Sequence, residues 1–185
     1  MIKVLVPLAK GFEEIEAVSI IDVLRRADIE VLLASLDENS IVKGVNGICI
    51  ATDIQIKDVN SSKLDMIVLP GGWDGTYALS DDDNILNILK EMDTRGQNIA
   101  AICAAPFVLN KAGVLKHNYT CYPSVEEHIR EDGYSDINMV VEDDNIMTSR
   151  GPGTAICFAL AIVKKLKGED VYLSLKGALL AKFCE

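Results

Sequence analysis

A cysteine in the segment AAICAAPFVL, residues 100–109, occupies a position that suits nucleophilic chemistry. Cys103 ends an apolar run typical of a buried strand, and Pro106 fits the first turn of a following helix, where no backbone N–H is needed. A tight strand-to-helix turn is the geometry of a nucleophile elbow, and the helix N-terminus stabilises a thiolate through its N–H groups and dipole. Cysteine is more often a small buried hydrophobe, so the segment alone is compatible with either role.

Three acidic residues, Glu13, Glu14 and Glu16, open a predicted helix. Acids are favoured in a first helical turn because the helix dipole is positive there. Glu16 is also in phase with the apolar stripe that begins at Ile20 and must face the sheet, and Glu13 lies close to that stripe. Glu14 falls nearer Arg25 and is predicted to be exposed. A carboxyl on the buried stripe is expected to have a raised pKa, to hydrogen-bond a thiolate and to shuttle protons, which makes Glu16 a candidate site residue.

The segment PGGWDG, residues 70–75, follows another apolar run. Glycines after a strand most often mark only a tight turn. Alternatively, Gly71 and Gly72 present backbone N–H groups to an oxyanion. The segment matches neither GxxxxGK[ST] nor GxGxxG, so it does not predict a phosphate-binding loop.

Several kinds of catalytic centre are disfavoured by missing residues. The chain has two histidines, His117 and His128, and neither adjoins an obvious nucleophile in sequence. The motifs HExxH and GxSxG are absent, and no His/Cys ligand cluster occurs. The sequence therefore predicts neither a metal site nor a serine triad.

The five cysteines form no recognisable disulfide or zinc pattern, because their number is odd and no two are close in sequence. We therefore expect all of them to be free thiols in a reducing compartment. They are Cys49, Cys103, Cys121, Cys157 and Cys184.

Length and charge narrow the class of protein. The 185 residues are most simply one domain, 1–185, and 28 acidic against 18 basic residues give a formal charge of −10. An acidic surface repels phosphate backbones and anionic lipid, so we expect neither nucleic-acid binding nor membrane binding. The N-terminus lacks a signal-peptide pattern and no run of about 18 apolar residues occurs, so a cytoplasmic location is expected.

Apolar runs and amphipathic segments alternate along the chain. The runs predict buried strands at residues 2–9, 29–36, 64–69 and 98–103, and looser short strands near 119–121 and around 143–145. Helices are predicted at 14–27 and 84–96, from 105, and within 151–168 and 169–183. Asn46-Gly47 between β-branched residues predicts a hairpin.

Strands that alternate with helices predict an α/β fold with a mostly parallel sheet and helices on both faces. Ligands of such sheets bind outside the carboxyl ends of the strands. The turn at residues 10–14, the PGGWDG segment and the Cys103 turn all follow predicted strands. We therefore expect these three turns to converge.

Taken together, five segments resemble the ThiJ/PfpI superfamily, and within it the DJ-one-like branch that contains the parkinsonism-associated deglycase and its bacterial relatives. The likeness runs from residue 2 to about residue 170. The segments are VPLAKGFEEIEAV, VLRRADIEV, VLPGGWDG, AAICAAPFVL and TSRGPGTAICFALAIV.

The resemblance implies a flavodoxin-like three-layer sandwich, usually a homodimer, with no cofactor. It implies that Cys103 is the nucleophile and that Glu16 is the protonated glutamate that hydrogen-bonds it. Gly72 and Ala104 match the residues whose N–H groups form the oxyanion pocket. The segment 150–153, RGPG, matches the part that closes the site near the dimer interface.

Two departures from the family pattern affect the implied activity. Ala104 stands where the protease-like branch has a histidine, so peptidase activity is not expected. Tyr122 precedes Pro123 where the human-type branch has a histidine, although a phenol can still donate a hydrogen bond. Tyr122 and Pro152 are expected to flank the site. The His-x-Glu pair of glutamine-amidotransferase relatives is absent after either histidine.

The resemblance leaves three hypotheses for function. The first is a cofactor-independent cysteine enzyme in stress protection, acting as a glyoxalase that turns methylglyoxal into lactate, as a deglycase of early glycation adducts, or as both. The second is a redox-sensing or chaperone-like stress protein that uses an oxidisable Cys103 without physiological turnover. The third is a structural relative with an inert thiol.

Overall fold

The computed structural model describes residues 1–184. In this range nine strands are interspersed with six α-helices. The strands are β1 (Lys3–Leu8), β2 (Glu30–Ser35), β3 (Ile41–Lys43), β4 (Cys49–Ala51), β5 (Ile54–Gln55), β6 (Met66–Leu69), β7 (Asn98–Ile102), β8 (Val140–Asp143) and β9 (Ile146–Ser149). The helices are α1 (Glu14–Arg26), α2 (Trp73–Asp81), α3 (Asp83–Thr94), α4 (Pro106–Ala112), α5 (Ala155–Lys167) and α6 (Glu169–Ala178).

Seven of the described strands form one sheet in the order β5-β2-β1-β6-β7-β9-β8. Neighbouring strands are parallel from β5 through β9, and β8 pairs antiparallel with β9. Strands β3 and β4 form a separate antiparallel hairpin whose turn contains Asn46-Gly47, which confirms the predicted hairpin.

Helices cover both faces of the sheet, and this confirms the predicted three-layer α/β arrangement. The side chains of β1 alternate: Val4 and Val6 pack into the core beneath α1 and α5, whereas Leu5 packs into the core beneath α3 and α4. Helix α6 packs on α5, and α2 packs on α4. Because β1 is buried on both faces, its sequence is continuously apolar rather than alternating.

The structure differs from the predicted elements at two helices. Helix α2 lies where a loop was expected, because two glycines near its start obscure the helical pattern. Gly72 precedes the helix with a φ of 90°, and a Cβ on Gly75 would lie 3.0 Å from the Phe12 nitrogen, so close packing requires glycine there. Helix α6 ends at Ala178, earlier than predicted, and Leu180 beyond it has a positive φ of 55°.

One predicted strand is absent, and one observed strand was not predicted. Residues 119–121 form no strand, and the contact there is an isolated bridge between Tyr119 and Tyr134. The short strand β5 at the sheet edge was not expected, because two residues carry too little pattern to indicate it.

The expectation that all five cysteines are free thiols was wrong for two of them. A disulfide joins Cys157, in the first turn of α5, to Cys184, in the segment after α6. The two residues are 27 positions apart, and they meet because α6 folds back along α5, which spacing alone does not indicate. Among the described residues, Cys49 is an exposed free thiol, Cys103 is half-buried and Cys121 is buried.

In residues 1–184, no helix is both long and apolar enough to cross a membrane.

Candidate active site

Three turns meet at the carboxyl ends of β1, β6 and β7, which are neighbours in the sheet. The N–H of Glu13 donates to the Gly71 carbonyl at 2.9 Å. The N–H of Gly71 donates to Oε2 of Glu16 at 2.8 Å. The Cys103 thiol lies beside the same carboxyl, and each group shifts the pKa of the other. The convergence expected from topology is therefore present in the structure.

The backbone of Cys103 is in the left-handed region, with a φ of 65°. A non-glycine residue rarely adopts this conformation, at a cost of roughly 1–3 kcal/mol, so neighbouring contacts must hold it. Its N–H donates to the Ser149 carbonyl at 3.0 Å, and its carbonyl accepts from the Tyr122 N–H at 2.9 Å. The end of β9 and the loop at Tyr122 therefore fix the turn that presents the thiol.

The carboxyl of Glu16 is fully buried beside the thiol. Burial raises its pKa to about 7, while the Gly71 N–H and the Cys103 thiol act in the opposite direction and the charge of Glu13 adds to the rise. Within the described residues its Oε1 atom has no hydrogen-bond partner. A buried carboxyl with one unsatisfied oxygen is stabilised when it carries a proton or meets a donor.

The thiol of Cys103 does not have the lowered pKa that a helix N-terminus alone would give. Burial, followed by the adjacent Glu16 carboxylate, raises the pKa of the thiol, and the N–H groups of Gly72 and Ala104 lower it by a smaller amount. The helix start alone therefore does not make Cys103 a thiolate, and its role as the nucleophile stays a prediction. The two groups titrate as a pair, so that when one carries the negative charge the other stays protonated.

Two consecutive glycines allow the three turns to approach this closely. A Cβ on Gly71 would lie 2.6 Å from Cβ of Cys103 and 2.7 Å from Oε2 of Glu16. Gly72 has a φ of 90°, and a Cβ there would lie 2.3 Å from the Gly11 carbonyl oxygen. Gly72 is also the N-cap of α2, so its N–H belongs to the free donors of a helix start. Close packing therefore explains why both positions are glycine. The expectation that Gly71 presents its N–H to an oxyanion was wrong, because that N–H donates to Oε2 of Glu16. The N–H of Gly72, by contrast, faces the sulfur of Cys103.

The residues expected to flank the site lie together. Tyr122 and Pro152 line a shallow pocket of about 210 Å³, together with Arg150. The Tyr122 ring rests on Gly151, where a Cβ would approach its Cδ2 to 3.0 Å. The pocket is joined to the elbow through the hydrogen bond from Tyr122 to Cys103.

Glu14 was expected to be exposed, and the structure buries it. Its Oε1 accepts from the N–H of Asn46 at 2.6 Å and of Ile48 at 3.3 Å, and its Oε2 accepts from Nδ2 of Asn46 at 3.1 Å. Burial raises the pKa of this carboxyl, but hydrogen bonds from its own backbone, from Asn46 and from Ile48 outweigh burial and leave the pKa lowered. The prediction failed because these partners come from the β3–β4 hairpin, which helical phase does not take into account.

Sequence reasoning also missed an aromatic cluster beside the Gly72 and Cys103 turns, formed by Trp73, Tyr77, Phe107 and His128. The spacing of Trp73 and Tyr77 places them on one helix face, but this signal is usable only once α2 is recognised as a helix. Among the described residues, no group of three or more His, Cys, Asp or Glu side chains is placed to hold a metal ion.

Comparison with known proteins finds relatives that match nearly the whole chain. Residues 2–165 match the model of the DJ-1/PfpI family. The chain is 43% identical over 180 residues to Protein dj-1beta of Drosophila melanogaster, covering 96% of both chains. It is 40% identical over 173 residues to a glutathione-independent glyoxalase, DJR-1.2, of Caenorhabditis elegans, covering 92% of this chain and 91% of that one.

Solved structures show the same fold. The crystal structure of Drosophila melanogaster DJ-1beta superimposes with a TM-score of 0.93 at 41% identity, covering 97% of both chains. The oxidized form of Toxoplasma gondii DJ-1 gives a TM-score of 0.93 at 38% identity, covering 97% of this chain and 98% of that one.

Proposed function

The chain belongs to the DJ-1/PfpI family, and from that premise we propose that it is a cofactor-independent cysteine enzyme that acts on reactive dicarbonyls. The observation that carries the proposal is the pairing of Cys103 with the buried carboxyl of Glu16. The N–H groups of Gly72 and Ala104 approach the sulfur from two helix starts. A glyoxalase-named relative at 40% identity supports the reaction class.

In the proposed reaction, Sγ of Cys103 attacks the aldehyde carbon of methylglyoxal while the thiol proton passes to the carboxyl or to the new oxygen. The product is a hemithioacetal, and the N–H groups of Gly72 and Ala104 stabilise its developing oxyanion. Losing one such donor typically costs about 3 kcal/mol in the transition state.

Glu16 then moves a proton from the former aldehyde carbon to the adjacent ketone carbon, which gives a lactoyl thioester. Water hydrolyses the thioester to lactate and restores the thiol. One carbon is oxidised and its neighbour is reduced within the same molecule, so no external oxidant, metal or cofactor enters the balance. For an early adduct on an amine, the sulfur would first replace the nitrogen at the former aldehyde carbon: the C–S bond forms, the C–N bond breaks, and the amine leaves with the thiol proton. The resulting hemithioacetal would then give lactate by the same rearrangement and hydrolysis.

The proposal also includes a cellular location and an assembly state. We infer action in the cytoplasm as a homodimer, without nucleic-acid or membrane partners. Support for the dimer comes from exposed apolar side chains on α1 and the adjoining hairpin, and sedimentation of the protein tests it. These side chains are Ile15, Val18, Val45 and Ile48.

The test is lactate production from methylglyoxal by the wild type, Cys103→Ala and Glu16→Gln. We expect no turnover above background without the thiol, and a loss of about 10²- to 10⁴-fold without the acid. Cys49→Ser removes an exposed thiol and serves as the matched control, with activity expected to equal that of the wild type. Unchanged lactate production by Cys103→Ala would refute the mechanism.

A second candidate function is redox sensing, and the amides around the sulfur favour it. The N–H groups of Gly72 and Ala104 that approach Sγ are equally able to bind the oxygens of a sulfinate. Peroxide would then add two oxygen atoms at Cys103, which peptide mass spectrometry detects. Absence of wild-type turnover together with this oxidation would replace the enzyme proposal by the sensor, and oxidation spread over Cys49 as well would count against a specific sensor.

A further inference from the structure

The aromatic cluster of Trp73, Tyr77, Phe107 and His128 has the geometry of a stacking surface. The rings of Trp73 and Tyr77 are stacked, with centroids 5.2 Å apart and planes inclined by 22°. Phe107 meets both rings edge-on at 6.5 and 6.0 Å, and His128 meets Trp73 edge-on at 5.7 Å. Because Trp73 and Tyr77 stack on each other, only their outward faces remain for a ligand, and the contacts with Phe107 and His128 help to hold the pair in place.

Packing between helices α2 and α4 does not account for the whole cluster. Phe107 is partly buried and fills the contact between the helices, but Trp73 is 36% exposed and Tyr77 is 48% exposed. Single exposed aromatic residues need no explanation, whereas mutually contacting rings with free faces are characteristic of binding surfaces.

Two rings of the cluster adjoin the turns that surround the reactive thiol. Trp73 follows Gly72, whose N–H approaches Sγ of Cys103, and Phe107 packs against the same small apolar core as the Cys103 side chain. Glu16 and Ala104, which also neighbour the sulfur, are buried, so neither leaves space for a substituent. A substituent on a carbonyl held at the sulfur therefore extends towards the rings or towards the pocket at Tyr122.

We propose that the aromatic cluster is a subsite for the group attached to the reacting dicarbonyl, and that it selects α-oxoaldehydes carrying a planar aromatic group over those carrying a methyl group. This inference rests on the proposed dicarbonyl chemistry at Cys103. Such a group stacks on the free faces of Trp73 and Tyr77 while its aldehyde carbon reaches the sulfur. Phenylglyoxal is the simplest member of the class. It takes up one water to give mandelate by the same internal oxidation and reduction, so no further reactant is needed.

The kinetic test compares kcat/KM for methylglyoxal, phenylglyoxal and cyclohexylglyoxal, the last having similar bulk without a flat π-face. We expect the wild type to favour phenylglyoxal over cyclohexylglyoxal by roughly 2- to 12-fold, the effect of one aromatic stacking pair. Trp73→Leu and Tyr77→Leu should each reduce this preference. Phe183→Leu, at an exposed aromatic residue outside the cluster, is the matched control and should keep the preference. An unchanged preference in Trp73→Leu, with methylglyoxal still converted, would overturn the subsite and leave the proposed function standing.

A binding measurement separates failure of the subsite from failure of the reaction. Trp73 is the single tryptophan of the chain, so its fluorescence reports on the cluster directly. In Cys103→Ala, which cannot react, mandelate should change this fluorescence saturably, and lactate and hexahydromandelate should not. A saturable mandelate response supports the subsite even if the wild type turns over no dicarbonyl, and equal responses to all three acids refute it.

Discussion

At the scale of single residues, the carboxyl of Glu16 controls how folding depends on pH. Its pKa rises from 4.5 to about 7 on folding, so between these values the native state holds a proton that the unfolded chain has lost. The free energy of unfolding must therefore fall as pH rises through this window. At 1.36 kcal/mol for each pH unit of the shift, this effect amounts to about 3 kcal/mol.

The variant Glu16→Gln should lose this dependence, because the amide cannot ionise. The free energy of unfolding is measured with urea from pH 4.5 to 8 for both proteins. The difference, variant minus wild type, should rise by about 3 kcal/mol across this range, because only the wild type loses stability through Glu16. Glu38→Gln, at an exposed acid, is the control and should follow the wild type. Parallel pH profiles for the wild type and Glu16→Gln would show that the native carboxyl is not the group that binds the proton.

The sequence was sufficient to select Cys103 and Glu16 as candidate site residues, because the strand-to-helix turn and the helical phase are local patterns. The raised pKa of the Cys103 thiol was not predictable, since it depends on the burial and charge of a partner 87 positions earlier in the chain. Glu14 was misplaced for the same reason, because its hydrogen-bond donors Asn46 and Ile48 lie on another element. Local patterns identify a site residue, and tertiary contacts set its chemistry.

At the scale of elements, the β3–β4 hairpin is fastened to the start of α1 beside the site. The Glu14 carboxylate accepts three hydrogen bonds from the turn of the hairpin. A Cβ on Gly44 would lie 2.5 Å from the same carboxylate. The N–H of Gly11 donates to the Lys43 carbonyl at 2.8 Å. The hairpin thereby supports the loop that leads from β1 to Glu16.

Glu14→Gln should loosen the hairpin, because one carboxylate oxygen becomes an amide nitrogen that cannot accept. The loss of charge-assisted bonds should cost about 1–3 kcal/mol and appear as faster amide hydrogen exchange over residues 41–51. Since folding lowers the pKa of Glu14, its contribution is present above pH 4.5 and is lost as pH falls through the lowered value. Acidifying the wild type below that pH should therefore lower the protection of the same amides, measured relative to the intrinsic exchange rate at each pH. Equal exchange in Glu14→Gln and Glu38→Gln at neutral pH would contradict this role.

Element prediction succeeded where patterns were long and failed where they were short. The strands β1, β6 and β7 were predictable because an unbroken apolar run covers most or all of each strand. Helix α3 was predictable because its amphipathic pattern extends over the whole helix. Helix α2 was not, because the glycines at 72 and 75 serve close packing against residues 11–13 rather than helix formation. The aromatic cluster was missed with it, since half of its rings lie on that helix.

At the scale of the whole molecule, the disulfide between Cys157 and Cys184 ties the segment after α6 to the start of α5. The segment RGPG directly precedes α5 and lines the pocket beside Tyr122, so the crosslink lies one helical turn from a wall of the candidate site. Both cysteines are almost fully buried, so the covalent bond adds to packing that is already present. A chain held in reducing conditions would keep this packing without the crosslink.

The crosslink should stabilise the oxidised protein mainly by restricting its unfolded chain. Closing a loop across the 27-position separation corresponds to about 3.5 kcal/mol in the chain-entropy description. We therefore expect dithiothreitol to lower the free energy of unfolding of the wild type by about that amount. Cys184→Ser should show the lower value with or without reductant, because it has no crosslink to lose. Cys49→Ser, at an exposed free thiol, should behave as the wild type does.

The crosslink itself is tested by the intact mass of the oxidised protein after it has been denatured and alkylated. Three alkylated thiols are expected. Alkylation of all five would show that Cys157 and Cys184 pack together without forming a disulfide.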